Sequence, residues 1–209
     1  MRLNRERFPL VVEGIPFIVI PAVLTALAGL WGKLYFFLPF LALTIFMCSF
    51  FRNPRRHIPR GEGLILAPAD GRIVLVNKKA EGTKVSIFMS VFNCHVNRAP
   101  AAGRITEIRY QPGKFMPASK GEASRQNEQN ALRLQGDKGL TMRFVQVAGI
   151  LARRIVCYVH RGDQVQQGEI FGTILFGSRV DIYLPRHVAV RVRQGERVKG
   201  GKSIVGVIQ

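Results

Sequence analysis

Two stretches, RGDQVQQGEIFG at residues 161–172 and QGERVKGGKSIVG at residues 194–206, begin 33 residues apart and share one plan. Each reads as a glycine turn, a valine, a second glycine turn and a strand. A second pair lies upstream: APADGRIVLV begins at Ala67 and APAAGRITEI at Ala99, 32 residues later. Self-similarity at such a period marks a duplicated supersecondary unit. Between these landmarks run short, β-branched apolar segments bounded by glycine and proline, such as Ile73–Val76, Val85–Met89 and Ile204–Val207. Strand-length runs with this punctuation predict a mainly β, barrel-sandwich-like domain built of glycine-rich hairpins. A helix is expected only near Glu122–Asn130.

Wrapped hairpins of this kind resemble the carrier domains that bear lipoyl or biotinyl groups. Such a carrier needs a modifiable lysine at a hairpin tip, in a setting such as Met-Lys-Met, and none is present. The upstream repeat is imperfect in one informative place: Asp70 stands where its sister copy has Ala102. An aspartate can cap a turn by bonding its own backbone. It can also be a carboxylate that only one copy needs for chemistry.

The N-terminal part is different in kind. Ile15–Trp31 and Leu34–Phe51 are uncharged runs of 17 and 18 residues, separated by Gly32 and Lys33. A membrane-crossing helix takes about 20 residues. Trp31 and Tyr35 flank the connection, where amphipathic rings favour the headgroup level. Arg2, Arg5 and Arg7 precede the pair, and Arg52, Arg55, Arg56 and Arg60 follow it, which places both ends in the cytoplasm. A cleaved signal peptide ending near Ala26-Leu27-Ala28 is the alternative. A hairpin dipping into one leaflet is another. The expected division is residues 1–60 as a membrane-anchoring hairpin and basic linker, and 61–209 as the catalytic β-rich domain.

The formal net charge is +18. Residues 1–60 hold 8 Lys/Arg and 2 Asp/Glu of the chain's 31 and 13, so residues 61–209 carry the rest, a net +12. A basic domain tethered at a membrane meets anionic lipid, which attracts each nearby Lys or Arg. Nucleic acid is the rival, but the basic residues are not interleaved with aromatics and no nucleic-acid motif is present. Cys48, Cys94 and Cys157 are scattered with no CxxC spacing, so neither a zinc site nor a disulfide framework is indicated. HExxH, Walker A, GxSxG and metal-binding carboxylate clusters are all missing from the sequence.

Of four histidines, His57, His160 and His187 sit in linker or turn settings. His95 lies in FMSVFNCHVNRAP, at the end of an apolar strand and just before the second repeat, where a reactive side chain is well placed. Gly177-Ser178, in FGSRVDIYLP, is by itself only a turn.

In order along the chain, APADGRI, FMSVFNCHVNRAP, ASRQNEQN, VAGILARRIV and QQGEIFGTILFGSRVDIYLP resemble the phosphatidylserine decarboxylases of the short prokaryotic branch. The resemblance runs from about Arg55 to the end, and the hydrophobic hairpin suits it. It implies a proenzyme. Ser178 attacks the carbonyl of Gly177, and β-elimination splits the chain into a β chain of residues 1–177 and an α chain beginning at position 178. The serine becomes a covalent pyruvoyl cofactor. Its ketone condenses with the amine of phosphatidylserine and takes up the electrons released with carbon dioxide, yielding phosphatidylethanolamine. The resemblance assigns Asp70 to self-cleavage and His95 to the decarboxylation step, as proton donor.

Larger members of the family carry a second histidine three residues after the first. Here that position is Arg98, so Asp70 works alone or another group such as His187 stands in. The tripeptide also reads GSR where larger members have GST. Asn127, Glu128 and Asn130 are expected to hold the substrate head group, and Phe88, Met89 and Phe92 to line a mouth for acyl chains or simply to be buried. Arg153 and Arg154 face lipid or form a solvated edge. The expected partners are phosphatidylserine, anionic lipid at the inner membrane and the chain's own two fragments, with no metal and no nucleic acid; a homo-oligomer is left open. A membrane-tethered, non-enzymatic module binding an anionic partner is the competing function.

Overall fold

A computed structural model describes residues 8–114, 116, 126–149, 154–175 and 178–209. The chain divides into two compact units, Met1–Arg55 and Arg56–Gln209.

The first unit holds a short 3-10 turn, Val12–Gly14, and two helices, α1 (Ile15–Leu30) and α2 (Leu34–Phe50). Pro21 and Pro39 lie inside them. Proline removes a backbone donor from the helix interior. Thr25 Oγ1 donates to the Pro21 carbonyl at 2.8 Å, Thr44 Oγ1 donates to Phe40, and the two hydroxyls meet at 3.2 Å between the helices. The outward faces are apolar and exposed, among them Ile20, Val23, Phe36 and Ile45. Val12–Leu30 is long and apolar enough to cross a membrane, whereas Leu34–Phe50 is an apolar helix of shorter length. The unit is compatible with membrane association.

The second unit's named elements are all strands, and Gln126 alone among its described residues is helical. Its strands are β1 (Leu64–Leu66), β2 (Gly71–Lys79), β3 (Gly82–Met89), β4 (Val96–Arg98), β5 (Gly103–Gln111), β6 (Gln129–Gln135), β7 (Thr141–Ala148), β8 (Arg154–Cys157), β9 (Gln164–Val165), β10 (Ile170–Leu175), β11 (Ser178–Pro185), β12 (Val188–Val190), β13 (Arg197–Val198) and β14 (Ile204–Ile208). A curled eight-stranded antiparallel sheet runs β13-β2-β3-β11-β7-β6-β5-β9, and two three-stranded sheets, β1-β14-β12 and β4-β10-β8, complete it. The expected mainly β architecture with a helical pair before it is what forms.

The repeats become a near-symmetric frame. β13 pairs with the start of β2 through Val198 and Gly71, and β9 pairs with the start of β5 through Val165 and Gly103. The turn bonds match copy for copy: Gly201 N–H donates to Ala67 O as Gly168 N–H donates to Ala99 O. Leu66 N–H donates to Pro100 O, while Arg98 N–H donates to Pro68 O. The same equivalence relates β1 to β4 and β14 to β10, with Ile65 opposite Gly206 and Asn97 opposite Gly172.

Alternation along β3, β7 and β11 sends Ile87, Phe144, Val180 and Ile182 inward, all fully buried. Phe144 and Phe171 meet edge to face with centroids 4.8 Å apart. The helix expected near Glu122–Asn130 is corrected at its end. Gln129 and Asn130 open strand β6, paired with Val147 and Gln146 of β7. Glu122–Arg125 lie outside the described residues.

Candidate active site

Ser178 is the first residue of β11 and is fully buried. Its strand is central: Ser178 lies opposite Met89 of β3 on one side and Ala148 of β7 on the other. Ser178 Oγ donates to the thioether sulfur of Met89 at 4.0 Å. A thioether is a weak acceptor, so the hydroxyl is desolvated and only lightly held. Gly177 lies outside the described residues.

His95 sits in the connection from β3 to β4. Asn93 shapes this bend: its Oδ1 accepts from Ser90 N–H at 2.9 Å and Ser90 Oγ at 2.8 Å. His95 is buried, and its carbonyl accepts from Thr173 Oγ1 at 3.0 Å and Ile174 N–H at 3.4 Å. The histidine backbone is thereby fixed to the strand that ends three residues before Ser178. His95 Nδ1 lies 2.9 Å from the Asn93 carbonyl. A carbonyl only accepts, so Nδ1 carries the hydrogen and Nε2 is the basic nitrogen.

Asp70 does not join Ser178. Its Oδ1 accepts from Gly200 N–H at 2.8 Å, and its Oδ2 pairs with Arg56 Nη2 at 2.7 Å. It precedes Gly71 at the start of β2, and β2 is separated from β11 by β3. Two ladder steps correspond to about 10 Å. Gly71 is required there, since a Cβ would come within 2.1 Å of the Phe88 carbonyl oxygen. Arg98, at the second-histidine position, is buried and donates from Nη1 to Gly168 O at 2.9 Å. It locks the repeat turns together. His187 is not a substitute. It follows Arg186 after the far end of β11, and seven strand steps put that end about 23 Å from Ser178.

The NEQN residues separate into different roles. Asn127 spends its amide on backbone, accepting from Met116 N–H and donating to Met116 O and Ala148 O at 2.8 and 2.7 Å. Glu128 is buried; desolvation first, and then the charge and hydrogen bond of Glu128, hold the Tyr110 hydroxyl above its usual range. Asn130 points into the barrel and donates to Gln146 Oε1 at 3.1 Å. Phe88 and Met89 are successive residues on β3 and face opposite sides of the sheet, so they do not form one mouth, and Phe92 is 75% exposed. Arg154 is exposed, and Arg153 lies outside the described residues.

The sequence reading did not single out Asn97 or Gln146. Both are fully buried. Gln146 Nε2 donates to Asn97 Oδ1 at 2.9 Å, and Asn97 Nδ2 donates to Met89 Sδ at 3.7 Å. Extending the upstream repeat three residues toward the N-terminus aligns Leu64-Ile65-Leu66 with Val96-Asn97-Arg98, which exposes the exchange of an isoleucine for an asparagine. Among the described residues no cluster of His, Cys, Asp and Glu suits a metal.

A family profile described as phosphatidylserine decarboxylase matches residues 43–206. Proteins named phosphatidylserine decarboxylase proenzyme are similar over nearly their whole lengths. That of Geobacter metallireducens is 46% identical, covering 99% of this chain and 100% of its own. That of Syntrophus aciditrophicus is 45% identical over 93% of this chain and 95% of its own. That of Geotalea uraniireducens is 42% identical over 99% and 100%. The family profile and these full-length similarities agree, and the chain belongs to the phosphatidylserine decarboxylase family.

Proposed function

We propose that the chain is a proenzyme that cuts itself between Gly177 and Ser178 and then decarboxylates phosphatidylserine to phosphatidylethanolamine. The observation that carries this reading is Ser178, a fully buried hydroxyl at the first position of a central strand, in a family whose members are named proenzymes. Ser178 Oγ attacks the carbonyl before its own nitrogen, and the acyl group moves from nitrogen to oxygen. Loss of the Ser178 Cα proton then expels the Gly177 carboxylate from Cβ. Addition of water releases ammonia and leaves a pyruvoyl group. That group has the three carbons of serine and is one ammonia lighter, so the enclosed space around Ser178 accommodates it.

The pyruvoyl group supplies a carbonyl that accepts the substrate amine and draws in the electron pair left by carbon dioxide. His95 Nε2 takes up a proton from solvent and delivers it to that carbon, its ring oriented by the Asn93 carbonyl. Asp70 assists self-cleavage through its charge rather than by contact with Ser178, with Arg56 and the Gly200 N–H fixing its carboxylate. The α fragment stays in place after the cut, because β11 is laddered along both edges to β3 and β7 and β14 is laddered to β1. The helical pair anchors the enzyme in the cytoplasmic membrane with both ends on the cytoplasmic side, and the basic second unit faces anionic lipid.

The test is decarboxylation of phosphatidylserine in detergent micelles by the purified chain. Carbon dioxide and phosphatidylethanolamine should form, and Ser178→Ala should form neither. Turnover by Ser178→Ala would refute the assignment.

A further inference from the structure

Three buried amides run in one direction through the barrel. Asn130 Nδ2 donates to Gln146 Oε1 at 3.1 Å, Gln146 Nε2 to Asn97 Oδ1 at 2.9 Å, and Asn97 Nδ2 to Met89 Sδ at 3.7 Å. Each link orients the next, because an amide oxygen that accepts fixes which way its NH2 points. The chain ends on the same sulfur that receives the Ser178 hydroxyl, at 4.0 Å. Asn97, Gln146 and Ser178 are 0% exposed and Asn130 3%.

The duplicated frame shows that this polarity is not needed for folding. Asn97 opposite Gly172 in one half corresponds to Ile65 opposite Gly206 in the other, and Ile65 is equally buried. The apolar side chain serves where no reactive serine stands. The amide appears in the copy beside Ser178, and its donor is given only a thioether. A buried strong donor facing a weak acceptor is unfavourable, unless the reaction places a better acceptor there.

We infer that the side-chain amide of Asn97, oriented by Gln146 and Asn130, is the hydrogen-bond donor to the oxygen anion that forms when Ser178 attacks the preceding carbonyl. The inference rests on the self-cleavage reading above. In that step the Oγ–C bond forms, the Oγ proton passes to a base, and the carbonyl π electrons move onto oxygen. Collapse of the adduct expels the Ser178 nitrogen, which takes up the proton and leaves an ester. The attacked carbon is one bond from Oγ, and both Oγ and the Asn97 amide border the space that Met89 Sδ fills, at 4.0 and 3.7 Å. Met89 is unbranched and can yield that space. A pre-oriented donor in a dry interior costs no reorganisation when the charge appears.

The experiment follows chain splitting after cell-free synthesis in the full-length protein. Asn97→Asp keeps the volume and the acceptor for Gln146 but removes the donor. Gln146→Glu leaves Asn97 in place but presents it with an acceptor, so the Asn97 amide turns and its oxygen faces Ser178. Both should split about 100-fold more slowly, the loss measured for a single oxyanion donor. A thermal midpoint above the assay temperature shows that each variant is folded, and hydroxylamine, which cuts esters, should release no fragment beginning at position 178. Two routes remove one donor, so a variant that fails to fold leaves the other decisive. Either variant folding and splitting within about threefold of the parent overturns the inference. A parent chain that never splits overturns the self-cleavage reading itself, a separate outcome visible before any variant is compared.

Discussion

Arg56 Nη2 lies 2.7 Å from Asp70 Oδ2, with the two side chains 12% and 14% exposed. The other carboxylate oxygen is held by the Gly200 N–H. The carboxylate that distinguishes one repeat copy from the other is therefore gripped by the opening residue of the second unit and by a repeat turn. Asp70→Asn keeps the shape and the Gly200 contact but loses the charge. It should fold, remain uncut and show no turnover. Arg56→Ala should destabilise the second unit by about 1.5–3 kcal/mol, the range for a charged hydrogen bond, and slow splitting. Denaturing gels and thermal melts check both.

His95→Ala should separate the two reactions. Its backbone bonds to Thr173 and Ile174 survive the change, so splitting should proceed. Decarboxylation should fall by about 100-fold or more, as expected for losing a general acid. Normal turnover in the split variant would remove His95 from the proton-transfer role.

Asn127 is a staple. Its amide bonds the backbone of Met116 and Ala148, and Ala148 faces Ser178 across the ladder. Asn127→Ala strands buried polar groups and should cost about 2–3 kcal/mol, read by urea unfolding. The substrate KM should be unchanged in whatever fraction stays folded.

Cys157 gives a pH dependence with a defined sign. Burial pushes its thiol above its ordinary range, against the pull of bonds to the Val159 carbonyl and the Asn130 side chain. The folded chain then keeps a proton that the unfolded chain releases. This contribution to stability is complete below the unfolded thiol value, about 8.5. It is lost as pH rises from there through the folded value. Melting points should fall across that alkaline window and fall less for Cys157→Ala.

The duplicated frame and its strands were legible because strand period and glycine turns are local signals, as in Ile73–Val76 and in the turns at Gly168 and Gly201. Asp70 was visible as an asymmetry between copies. Its partner was not, because the Arg56–Asp70 contact depends on how the linker lies across the repeat turns. His187 looked like a stand-in histidine only because sequence does not measure strand length: the whole of β11 separates it from Ser178. Asn97 was passed over because a lone asparagine between valine and arginine carries no motif, and its exchange against Ile65 shows only when the repeat is carried beyond its APA start. A helix is expected near Glu122–Asn130 from the sequence; pairing with β7 makes Gln129 and Asn130 a strand instead, a long-range contact that local sequence does not show.

The central claim is that Ser178 becomes the cofactor. Denaturing mass spectrometry of the active, purified protein tests it most directly. The account predicts two chains, residues 1–177 and 178–209, with the smaller one ammonia lighter than its serine-initiated sequence. An active sample consisting of the intact 209-residue chain would contradict it.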